Sequence, residues 1–80
     1  MRARDIKAGM TVSFLLKGQK YSAIVRTVCP TASGCIVVLD NELFSGNIFQ
    51  IAQQKNDEAW KATLNNEDFG EVSDLKEVKS

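Results

Sequence analysis

Eighty residues with a formal net charge of zero, 44% of them hydrophobic and one a proline, describe one folded domain rather than a disordered segment. A chain this short buries only about 60% of the surface its unfolded form exposes, so the core is small and self-association is an expected way to add burial. No run reaches the ~20 apolar residues of a membrane-spanning helix, the opening Met1-Arg2-Ala3-Arg4-Asp5 leads into no secretory apolar stretch, and two cysteines make no disulfide scaffold, so the expectation is a cytoplasmic protein without a membrane role.

Asp5-Ile6-Lys7-Ala8-Gly9-Met10 reads as an opening turn in which Gly9 supplies unusual backbone angles. Thr11 to Leu16 is β-rich, with Val12 and Phe14 on one face and Thr11 and Ser13 on the other. Lys17-Gly18-Gln19-Lys20 suits a hairpin turn, and Tyr21 to Val28 follows as a second strand, with Ile24 and Val28 predicted to share a face with Ser22 and Arg26. At Cys29-Pro30-Thr31-Ala32-Ser33-Gly34 the missing proline donor and the permissive glycine predict a break and a second hairpin. Cys35-Ile36-Val37-Val38-Leu39 is continuously apolar, as a strand buried on both faces or central in a small sheet is, and Asp40-Asn41-Glu42 is the next turn.

Leu43 to Gln54 carries two periods at once. Phe44, Ile48 and Ile51 fit helical spacing, while Ile48-Phe49-Gln50-Ile51 alternates as a strand; Gly46 and Asn47 argue against one unbroken element, and the reading is a strand from about Asn47 to Ala52. Gln53 to Asp57 is a polar connection. Trp60, Ala62 and Leu64 then alternate with Lys61 and Thr63 as another strand. Asn65-Asn66-Glu67-Asp68 is a turn and Phe69 to Val72 a short last strand. Leu75 and Val78, three apart, predict a short C-terminal helical turn starting near Ser73 or Asp74.

The fold class this predicts is all-β: a small antiparallel barrel of five or six short strands ending in that helical turn, with residues 1–80 as one domain. Asp5-Ile6-Lys7-Ala8-Gly9-Met10-Thr11-Val12 and Ile24-Val25-Arg26-Thr27-Val28 resemble the first two strands of SH3-like barrels, the KOW and Tudor types included, over roughly residues 5 to 52. The resemblance implies a domain that binds RNA, DNA, peptides or modified side chains, or serves structure alone. No residue-specific binding motif of one family carries over.

Familiar catalysis lacks its residues. Histidine is absent, which removes the commonest general base and metal ligand and the usual serine or cysteine triads. Asp40 and Glu42 sit together at a turn, where carboxylates are solvated rather than tuned by burial. Two thiols without histidine do not complete a zinc site within one chain. Leu16-Lys17-Gly18-Gln19-Lys20 lacks the Walker spacing and is explained by a hairpin turn. Cys29 and Cys35 flank a predicted turn, so they read either as a disulfide staple across adjacent strands or as small buried apolar residues, the commoner use of free cysteine. No catalytic residue, metal or cofactor is expected.

Charge is uneven along the chain. Met1 to Arg26 holds six basic residues against one acidic, and Asn56 to Ser80 holds three basic against seven acidic. Arg2, Arg4, Lys7, Lys17, Lys20 and Arg26, with Tyr21 and Phe14 near them, form the candidate nucleic-acid surface, in which cations neutralise phosphates and an aromatic ring stacks on a base. The alternative is a solvated face with Tyr21 partly in the core, favoured by a pI near 6.2. The acidic stretch Glu67 to Glu77, its carboxylates interrupted by Phe69, Val72 and Leu75, reads as an amphipathic tail rather than a nucleic-acid mimic. Trp60 is either a binding hot spot or the anchor of a small core. The functional expectation is a non-enzymatic module that binds a protein partner or its own copy, the alternative being nucleic-acid binding, with Lys17, Lys20, Tyr21, Arg26 and Trp60 as candidate binding residues.

Overall fold

The computed structural model of the chain describes residues 5–32, 34–54 and 59–78. Of the residues weighed above, Arg2, Arg4, Ser33, Asp57, Glu58 and Lys79 lie outside them. Six antiparallel strands, β1 (Thr11–Leu16), β2 (Gln19–Thr31), β3 (Gly34–Asp40), β4 (Phe49–Gln54), β5 (Trp60–Leu64) and β6 (Glu67–Glu77), each pair with the next, and β6 pairs back onto β1 to close a barrel. Closure gives every strand a partner on each side, whereas a flat sheet of this size has two edge strands.

Two hairpins are made by the residues that turn chemistry favours. At Lys17-Gly18 and at Asn65-Asn66 both central residues have positive φ, 52° and 78° in the first turn and 54° and 68° in the second. That is the signature of the two-residue turn whose twist matches the flanking strands. Asparagine tolerates the left-handed region better than other side chains, and glycine does so without cost.

Bulges decide which side chains face inward, and they correct several sequence expectations. In β2 the register moves from Val25↔Leu39 to Thr27↔Val38, so Arg26 is the extra residue. Before it, Ala23 and Val25 point into the core and Ile24 points out; after it, the inward face switches and Val28 packs against the core. Ile24 and Val28 therefore do not share a face. Pro30 does not end the strand, since β2 runs to Thr31 with Pro30 opposite Cys35 near the end of the pairing. β3 is central between β2 and β4 but buried on one face: Cys35, Val37 and Leu39 are buried, Ile36 and Val38 half-buried.

The largest correction concerns the C-terminus, where β6 replaces the predicted helical turn with an unbroken strand of 11 residues. Against β1 the register moves from Ser13↔Lys76 to Leu15↔Ser73, placing the extra residue on β6 beside Asp74, whose φ is 54°. The bulge turns both Val72 and Leu75 into the core. Leu75 and Val78, whose spacing of three predicts the helical turn, do not share a face: Leu75 is buried and Val78 is exposed. A second bulge, between Ala62↔Gly70 and Thr63↔Asp68, aims Phe69 at the core. Gly70 beside it has φ 124°, and a Cβ there meets the Leu16 side chain at 3.3 Å.

An antiparallel meander puts the β1–β2, β3–β4 and β5–β6 connections at one end of the barrel. That end is filled by aromatic rings. Phe14, Tyr21, Phe44, Phe49 and Phe69 form one stacked and edge-to-face cluster, with centroid separations from 4.6 to 6.3 Å. Trp60 and Cys35, at the starts of β5 and β3, are buried toward the opposite end.

Candidate docking surface

The β3–β4 connection is the irregular segment of the barrel's aromatic end, and its geometry follows from two asparagines. Asn41 follows β3 in extended conformation; its Oδ1 accepts from the Leu43 N–H at 2.7 Å, starting one turn of 3-10 helix over Glu42–Phe44, while its Nδ2 donates to the Ser22 carbonyl of β2. Asn65, across the barrel end in the β5–β6 turn, accepts from the Ile48 N–H and donates to Asn47 Oδ1, both at 2.9 Å, and its own N–H donates to the Ile48 carbonyl. The connection is therefore clamped at both ends. This satisfies backbone groups that a loop with no ladder partner otherwise leaves to water.

Phe44 and Leu43, neighbours in the chain, have opposite fates. Phe44 turns under the loop onto Phe49, 4.6 Å between centroids, and against Tyr21 and Phe69. Leu43 stands 74% exposed on the outer side. The sequence expectation of a strand beginning near Asn47 is corrected by two residues, to Phe49, because Asn47 and Ile48 belong to the clamped loop and Ile48 is 51% exposed. Phe44 and Ile51, which share helical spacing with Ile48, reach the core from different elements.

Two open grooves flank this loop. The first, about 540 Å³, lies between the loop and the outer face of β2 and β3, bordered by Ile24, Arg26, Asp40, Glu42 and Ile48. The second, about 460 Å³, lies between the loop and the β1–β2 hairpin, bordered by Thr11, Lys20, Ile24, Glu42 and Leu43. They share Ile24, Asp40, Asn41 and Glu42. Thr11 pairs with Ile24 on one side, and the Val78 N–H donates to the Thr11 carbonyl on the other, continuing the β1–β6 register. Ile24, Leu43, Ile48 and Val78, the large hydrophobics that are exposed among the described residues, thus gather on one side of the barrel.

The five residues singled out from the sequence do not form one site. Lys17 sits in the β1–β2 turn with its ammonium 4.4 Å from the Phe69 ring centroid, a cation–π contact made within the chain. Tyr21 is half-buried in the aromatic cluster, its hydroxyl donating to Gln19 Oε1 at 2.9 Å. Arg26 is paired with Asp40 at 3.3 Å, both side chains exposed, an ion pair worth little to stability. Lys20 is exposed on β2 at the second groove. Trp60 is 3% exposed, a core anchor on β5. Lys20 and Tyr21 border the second groove and Arg26 the first, while Lys17 and Trp60 are engaged with the barrel's end and interior.

The cysteines are both free, Cys29 exposed and Cys35 buried. Across β2 and β3 Cys29 faces Ile36 and Pro30 faces Cys35, one step out of register, so the thiols lie on opposite faces and the staple is not formed. Burial pushes the Cys35 thiol above its ordinary value, and the neighbouring Cys29 adds to this. Clusters of three or more residues able to hold a metal are absent among the described residues. The acidic stretch is spread along β6, where Glu67, Asp68, Glu71, Asp74 and Glu77 are all exposed and Asp74 pairs with Lys76 at 3.6 Å.

Leu43, Ile48 and Asn65 carry this surface and were not singled out from the sequence. The available signal was negative: Leu43 and Ile48 flank a Ser45-Gly46-Asn47 breaker, where an apolar residue has no periodic partner to pack with. Comparison with family models, with curated proteins and with solved structures finds no match for this chain.

Proposed function

We propose that this chain is a non-catalytic protein-interaction module on an SH3-like barrel, which docks a partner on the side that carries Ile24, Leu43, Ile48 and Val78. One observation carries the reading: Ile24, Leu43 and Ile48 border the two grooves beside a loop whose backbone is held by Asn41 and Asn65. Isolated exposed apolar residues are ordinary on a protein surface, whereas a group of them on one side marks an interaction site. A clamped loop also binds at lower entropic cost than a mobile one. Two unpaired thiols, one exposed, support work in a reducing compartment such as the cytoplasm.

Nucleic-acid binding has weaker support. Of the basic residues on which it rests, Lys17 is over Phe69 and Arg26 is paired with Asp40, and the candidate stacking ring of Tyr21 is packed in the cluster. The experiment is capture of partners from the native lysate by the wild-type chain and by an Ile24→Ser, Leu43→Ser, Ile48→Ser variant, alongside oligonucleotide binding at low and high salt. Docking on this side predicts proteins that the wild type retains and the variant loses, with little salt response. Retention unchanged by the three substitutions, or oligonucleotide affinity that falls steeply with salt, refutes it.

A further inference from the structure

We infer that the partner seated on this side is a second copy of the same chain, related by a two-fold axis through the second groove, with Leu43 of each copy entering the groove of the other. The inference rests on the docking reading above and names its occupant. Its basis is that a protrusion and a depression of matching chemistry lie side by side. Leu43, 74% exposed on its clamped turn, is the protrusion. The groove of about 460 Å³ next to it is floored by the outer face of the β1–β2 hairpin and contains Ile24. An isologous contact needs such self-complementarity, because the same patch must serve both sides.

Charge agrees with this arrangement. Lys20 and Glu42 border the same groove from different walls, one on β2 and the other on the 3-10 turn. A two-fold axis passing between them brings each Lys20 against the Glu42 of the other copy. Arg26 and Asp40, the other charged residues lining the two grooves, already neutralise each other within the chain. The net charge of zero adds no general repulsion between copies. A standard interface takes about 800 Å² from each partner. That is a modest part of the 5388 Å² this chain exposes.

The test is sedimentation velocity over a wide concentration series, with circular dichroism of each variant to verify the fold. The wild type is expected to show a concentration-dependent dimer. Leu43→Ser is expected to weaken it about a hundredfold or more, because the buried leucine counts twice in a two-fold interface. Lys20→Glu and Glu42→Lys each weaken the dimer by placing like charges together, and the double variant, with the pair inverted, restores it. A wild type that stays monomeric throughout overturns the inference, as does a dimer indifferent to Leu43→Ser or not restored by the double reversal. Partner capture that depends on the apolar side, from a wild type that is monomeric, overturns the second copy while leaving the docking reading intact.

Discussion

Asn65 is the residue on which the exposed loop depends, and its replacement separates two contributions. Its side chain makes two hydrogen bonds to the loop, accepting from the Ile48 N–H and donating to Asn47 Oδ1, and its backbone sits at φ 54°. Asn65→Gly keeps the left-handed backbone and removes the side-chain clamp. Each lost bond is worth about 0.5–1.5 kcal/mol net, so the expected cost of losing both is about 1–3 kcal/mol, or roughly 6–18 °C in Tm for a domain of this size. Asn65→Ala loses the same bonds and adds the left-handed penalty of about 1 kcal/mol or more. Denaturant unfolding followed by the emission of the buried Trp60 measures both. Amide exchange provides the local readout: the Ile48 N–H exchanges faster in both variants, while amides in the β1–β2 ladder keep their order of protection. Equal costs for glycine and alanine, or unchanged protection at Ile48, refute the reasoning.

Phe49 touches Phe14, Phe44 and Phe69 and is 1% exposed, so Phe49→Ala should cost about 3–5 kcal/mol and leave the domain largely unfolded on heating, whereas Phe49→Leu retains a cooperative melt. Lys17→Ala removes the ammonium from Phe69 while keeping a Cβ at φ 52°, as lysine does, and a loss of about 0.5–1 kcal/mol in thermal unfolding is expected; Lys17→Asn should lose less, because asparagine tolerates the left-handed turn better than lysine. A thiol reagent should modify Cys29 rapidly in the folded protein and Cys35 only after denaturation. Because burial raises the Cys35 thiol above its ordinary 9.0, its contribution to stability is complete below the unfolded value and fades as pH rises through the folded one. Denaturation midpoints measured toward alkaline pH should therefore decline less steeply in Cys35→Ala than in the wild type.

Local pattern was enough for two of the strands and for two of the turns. β1 occupies the predicted Thr11 to Leu16, β5 the predicted Trp60 to Leu64, and the turns at Lys17-Gly18 and Asn65-Asn66 fall where short polar residues able to adopt positive φ interrupt apolar alternation. Both signals are read within a few residues, so they need no knowledge of partners. The all-β class and a barrel of about six strands follow from their number and spacing.

Which way each side chain faces was settled by pairing, and pairing is not local. The bulges at Arg26, Phe69 and Asp74 are defined by the strand opposite, and each reverses the inward face beyond it. That is why Ile24 is outside while Val28 packs against the core, why Val72 and Leu75 are both inside three residues apart, and why Leu75 and Val78, predicted to share a helical face, are one buried and one exposed on a single strand. Barrel closure made the same decision for the site: it buried Trp60, drew Tyr21 into an aromatic cluster, and brought Asn65 to the loop from a turn 17 residues away from Ile48. Period-two hydrophobicity says that a β chain has an inside; only the register of six strands closing on one another says which residues are left on the outside to meet a partner.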